Sequence, residues 1–109
     1  MIKILCQDYK EFLQSLDNNS VNAVITDPPF GISFFSRRRM TTDSLTIRGD
    51  DKFFSYETLG EESYRILAEN SPIFAYSHWR TYGIHDLELR KSVFAVHEPL
   101  IVQKTAAVL

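Results

Sequence analysis

The segment Thr26-Asp27-Pro28-Pro29-Phe30-Gly31 gathers residue types that can hold a flat, amino-bearing group. Its two prolines fix φ and remove two backbone donors, so the carbonyls of Asp27 and Pro28 stand as rigid acceptors. The Asp27 carboxylate adds acceptors at the same spot, and Phe30 offers a flat apolar face. Acceptors without a competing donor suit an exocyclic amino group, and the ring suits a base stacked on it. Such equipment holds a nucleobase turned out of a duplex and reads it by hydrogen bonds and stacking. Gly31 lets the chain turn away tightly beside it. Further on, Arg37-Arg38-Arg39 is a candidate set of phosphate contacts, with a solvated loop face as the plain alternative. His78, His85 and His97 have neither metal-ligand spacing nor cysteine partners, so polar packing or surface placement is expected of them and no metal site. Ser77-His78 falls at a strand end and is a candidate lining, but no GxSxG elbow supports nucleophilic catalysis.

Composition narrows the classes. The chain has 109 residues, 44% hydrophobic and 24% charged, which suits one globular domain. With 12 basic and 14 acidic side chains its formal charge is −2, so any nucleic-acid contact must be a local patch. One cysteine, Cys6, excludes an internal disulfide and points to a reducing interior, with the cytoplasm as the expected compartment. The N-terminus turns polar at Gln7 and Asp8, and no apolar run nears the ~18 residues of a membrane span. The four glycines, Gly31, Gly49, Gly60 and Gly83, are too dispersed for a GxGxxG turn or a P-loop.

These residues need elements to position them. Ile2 to Cys6 reads as a short buried strand, with Cys6 as a small core residue. Asp8 then caps a helix, Glu11 completes a capping box, and Tyr9, Phe12, Leu13 and Leu16 form one face. Asp17-Asn18-Asn19-Ser20 is a turn, and Val21 to Thr26 is a strand apolar on both faces, as in a sheet covered on both sides. From about 31 to 54 no period is sustained, which is the pattern of a mobile functional loop of ~20 residues. Ser55 caps a second helix with Leu59, Ser63, Ile66 and Leu67 inward and a Glu61–Arg65 pair outward, weakened by Gly60 by about 1 kcal/mol relative to alanine. Pro72 to Tyr76 is another buried strand. Trp79 to Lys91 is a helix with Trp79, Tyr82, Asp86 and Leu89 as its stripe, the aromatics counting as core. Val93 to Val96 and Leu100 to Gln103 form a closing hairpin. The alternation predicts an α/β fold with a mostly parallel sheet and an antiparallel edge, in which ligands bind beyond the carboxyl ends of the strands. Gln7-Asp8, Asp27 to Phe30 and Ser77-His78 all lie at such ends.

Asp27-Pro28-Pro29-Phe30 resembles the DPPY/F motif of the amino-methyltransferases that methylate adenine N6 or cytosine N4 in DNA with S-adenosylmethionine. The approach Ile4-Leu5-Cys6-Gln7-Asp8, then Asp17 to Thr26, is similar to that family's lead-in. Ser63-Tyr64-Arg65-Ile66-Leu67 resembles its helix before the fifth strand, and Leu100 to Lys104 its strand towards target recognition. The resemblance implies a Rossmann-like methyltransferase sheet, here incomplete, in a single domain over 1–109 that forms the first part of a permuted enzyme. By it, Asp27 and the Pro28 carbonyl accept hydrogen bonds from the target amino group, Pro29 shapes the turn, and Phe30 stacks on the flipped base. Asp8 and Asp27 face the cofactor. An aspartate at the head of the motif implies adenine.

Departures from the family leave two readings open. The glycine-rich FxGxG-like cofactor turn and a target-recognition domain are missing, Ala68-Glu69-Asn70-Ser71-Pro72 stands where Lys-Pro-Gly-Gly is usual, and Lys91-Ser92-Val93-Phe94 replaces an Ala-Gly-Phe turn. The chain is then either a catalytic segment acting on double-stranded DNA, with a C-terminal half or a second copy as partner, or an inactive or partner-dependent remnant with at most weak DNA contact.

Overall fold

The computed structural model describes residues 1–30 and 52–103. Asp8 caps α1 (Tyr9–Gln14) by accepting from the Lys10 backbone N–H at 2.9 Å, so the expected box reduces to a single cap. Leu13 is buried, with Tyr9, Phe12 and Leu16 packed beside it, as their spacing predicts. The turn passes through Asn19 at φ 55°, a left-handed conformation that asparagine tolerates. Residues 19–21 then bond to the end of α2 (Glu57–Ile66): Ser20 and Val21 both donate to the Ile66 carbonyl. β1 (Val24–Thr26) and β2 (Ile73–Ala75) pair in parallel, with Val24 opposite Ile73, Ile25 opposite Phe74 and Thr26 opposite Ala75. α2 makes the crossover between them, the connection that parallel strands require. Its inward residues are Leu59, Ser63, Ile66 and, just beyond it, Leu67. α3 (Tyr82–Lys91) follows β2 and packs on α2. The result is a partial α/β fold built on parallel pairing.

Several expectations are corrected. Among the described residues the sheet has two strands. Ile2 to Cys6 and the 93–103 stretch are not strands, and Ile4, Ile101 and Leu100 stay largely exposed, as does Cys6. An apolar β-branched run favours extended backbone, but only a neighbour with free ladder groups makes it a strand. β1 is not covered on both faces: Val24 and Ala75 join the core, whereas Ile25 is 74% and Phe74 49% exposed on the other side. Arg65 pairs with Glu62, not Glu61. Tyr56, not Ser55, holds the cap position of α2, although the Glu57 N–H donates to the Ser55 hydroxyl. Phe54 packs against the core, so the end of the expected loop is held in place; 31–51 and Arg37-Arg38-Arg39 lie outside the described residues. α3 starts at Tyr82 because the N–H groups of Thr81 and Tyr82 both donate to the His78 carbonyl in a tight turn. Its buried side carries His85 and Glu88 rather than Trp79 and Tyr82.

Candidate active site

β1 and β2 end side by side, and the Tyr76 N–H donates to the Thr26 carbonyl at 3.0 Å, carrying the ladder one residue past the strands. Asp27-Pro28-Pro29-Phe30 and Ser77-His78 therefore leave the sheet together. Pro28 is buried and anchors the turn, Asp27 is exposed, and Pro29 and Phe30 are half-buried. Among the described residues nothing donates to the Asp27 carboxylate. The Phe30 and His78 rings lie 6.0 Å apart, tilted by 40°. Acceptors at Asp27 and an aromatic face at Phe30 thus occupy one strand end.

Behind them lies a polar cluster that periodicity did not reveal. Tyr56, 1% exposed, donates its hydroxyl to the Tyr76 carbonyl and stacks on His85. The His85 Nε2 lies 2.8 Å from the Phe54 carbonyl, which can only accept, so this nitrogen carries the proton. Nδ1 then accepts from the Ser77 hydroxyl at 2.7 Å in a neutral ring. Burial lowers the pKa of His85, against the opposing Phe54 carbonyl and Glu88 carboxylate, which agrees with that state. Burial also holds the Tyr56 phenol above its usual range. The Asp27 and Glu88 charges add to the rise, while the Ser77 hydroxyl opposes it. Glu88 accepts from the Tyr56 N–H at 2.6 Å and from the Ser55 hydroxyl at 2.9 Å, fixing α3 to the start of α2. Ser77 and Tyr56 therefore link the strand ends to the helices beneath. The available sequence signal was His85 and Glu88 three residues apart, which share a helix face.

Asp8 stands at the α1 cap with one carboxylate oxygen engaged, and no strand leads to it. The exposed carboxylates of Asp8 and Asp27 are negatively charged acceptors, which fits the amino and hydroxyl donors and the positive charge of S-adenosylmethionine. Gly60 and Gly83 sit within α2 and α3, so neither provides a cofactor turn.

No family model matches the chain, and no solved structure matches it. The type II methyltransferase M.HpaI of Haemophilus parainfluenzae is 31% identical over 74 residues, which make up 68% of this chain and 22% of that protein. The chain thus spans about a fifth of the length of the curated relative it matches. The similarity is partial and distant, and the relationship it indicates is to a methyltransferase.

Proposed function

We propose that the chain is the catalytic segment of a DNA amino-methyltransferase, directed at adenine N6 of a base flipped from double-stranded DNA. The observation that carries this reading is the exposed Asp27 at the end of a parallel strand, three residues before the half-buried Phe30 ring. The distant methyltransferase similarity supports it. When bound, S-adenosylmethionine supplies an electrophilic methyl group. The Asp27 carboxylate and the Pro28 carbonyl accept the two amino N–H bonds, which turns the nitrogen lone pair out of conjugation with the ring and towards that methyl. Bound S-adenosylmethionine would give up its methyl group with its sulfur leaving as a neutral thioether, and the exposed Asp27 leaves the departing amino proton a path to solvent. Phe30 stacks on the base, Asp8 contacts the cofactor, and Arg37, Arg38 and Arg39 hold DNA phosphates. The single cysteine fits a reducing compartment, for which the cytoplasm is proposed. Among the described residues no helix is long and apolar enough to cross a membrane.

The bare sheet face at Ile25 and Phe74 favours a second reading, in which activity needs a partner segment or a second copy. Labelled methyl transfer to adenine-containing and adenine-free duplexes tests the first. Asp27→Ala abolishes product with an unchanged circular dichroism spectrum, and an unchanged rate removes Asp27 from the mechanism. Calorimetry showing no S-adenosylmethionine binding at millimolar ligand leaves the partner-dependent reading.

A further inference from the structure

The Phe30–His78 contact continues outward. The His78 and Trp79 rings lie 5.7 Å apart, and the Arg80 guanidinium sits 5.2 Å from the Trp79 ring centroid. Trp79 is 78% exposed, so most of the indole is open to a ligand. One exposed aromatic is ordinary on a protein surface, but here three rings and a cation succeed one another from the strand end outward. The segment is also held: the Arg80 N–H donates to His78 Nδ1 at 3.2 Å, and the Thr81 hydroxyl and N–H both donate to the His78 carbonyl. Arg80 forms no ion pair among the described residues, which leaves its charge for an anion.

We propose that Trp79 and Arg80 form a second nucleobase platform next to Phe30, on which an unpaired base of the bound DNA strand stacks while Arg80 takes its phosphate. Aromatic faces with an adjacent guanidinium bind unpaired nucleotides with little regard to sequence, because every base has a π-face. A paired base within a duplex does not present that face. This inference rests on the DNA reading above, and it requires the base next to the flipped one to leave its pair as well.

Trp79 is the one tryptophan of the chain, so its emission reports the platform directly. The full chain is titrated with single-stranded oligodeoxyadenylate of about 12 nucleotides, within the site size of single-strand surfaces, with the same length of duplex, and with inorganic phosphate. Single strand quenches Trp79, duplex does so more weakly, and phosphate alone does not. Trp79→Ala weakens binding of a labelled strand about 10-fold. Arg80→Gln lowers the slope of log affinity against log salt by about 0.7. Absence of binding, binding without quenching, equal quenching by duplex, or an unchanged affinity of Trp79→Ala overturns the platform. Asp27→Ala separates the two proposals, since it stops methyl transfer and leaves the quenching intact. Quenching in a chain that never methylates overturns the methylation reading alone.

Discussion

The Tyr56 and His85 rings lie face to face, 3.7 Å between centroids and 5° from parallel, and both tie polar atoms to the strand end at Tyr76-Ser77. Tyr56 holds the Tyr76 carbonyl, and His85 holds Phe54 and Ser77. The folded His85 has a pKa below its ordinary 6.5. Between the two values the unfolded chain binds more protons, so His85 contributes stability that is fully present above about pH 6.5 and is lost as pH falls below it. The urea midpoint holds steady near neutral pH and declines as pH falls below about 6.5 through the lowered folded value. His85→Gln, which keeps a donor but does not titrate, flattens that decline; equal slopes in the two proteins contradict the argument. Tyr56 acts at the other end. Its raised pKa makes stability fall as pH rises past about 10, and Tyr56→Phe removes that loss.

Arg65 binds α2 to the end of α1 through a fork. Its guanidinium donates to the Leu13 carbonyl at 2.8 Å, the Leu16 carbonyl at 2.9 Å and the Asn18 side chain at 2.8 Å. An ammonium is a point charge and cannot reach all three, so Arg65→Lys costs about 2 kcal/mol and Arg65→Ala about 3 kcal/mol in urea unfolding. Glu62→Ala removes only a partly exposed ion pair and costs about 0.5 kcal/mol or less.

Gly60 reverses a rule of helix propensity. Alanine gains about 1 kcal/mol in an open helix. At this position a Cβ meets the Ser92 hydroxyl at 2.6 Å and Ser92 Cβ at 3.2 Å, where α2 and α3 touch. Gly60→Ala therefore lowers stability by about 1 kcal/mol, and the double variant Gly60→Ala/Ser92→Gly recovers most of it, as read from thermal midpoints. A stabilising single variant counts against the close approach.

Val93 closes α3 at φ 70°, just after the cap at Ser92. Its N–H donates to the Arg90 carbonyl at 3.1 Å, and that of Phe94 to the Leu89 carbonyl at 3.4 Å, the pattern of a Schellman turn. A β-branched residue is strained there, and Val93 is 73% exposed, so it has little packing to lose. Val93→Gly raises stability by about 1 kcal/mol. A loss on that substitution shows that the valine side chain contributes packing that its exposure does not suggest.

Local chemistry alone determined much of this protein. The Asp8 cap, the α1 face at Leu13, the inward row Leu59, Ser63 and Ile66, and the strand leading into Asp27-Pro28 are legible because each rests on spacing within one element. The lack of backbone donors at Pro28 and Pro29 is likewise local, since proline removes them wherever it stands. Pairing and facing were decided by tertiary structure. Ile2 to Cys6 and Leu100 to Gln103 look like strands, yet extended preference does not supply a neighbour with free ladder groups. The stripe through Trp79 and Tyr82 looks like core. The backbone N–H of Tyr56 needs a buried acceptor, however, and Glu88 provides it from the other side of α3. Trp79 is left outside beside His78 and Phe30. Hydrophobic period is a property of a segment, whereas a buried polar group must be satisfied by whatever distant residue folding brings to it.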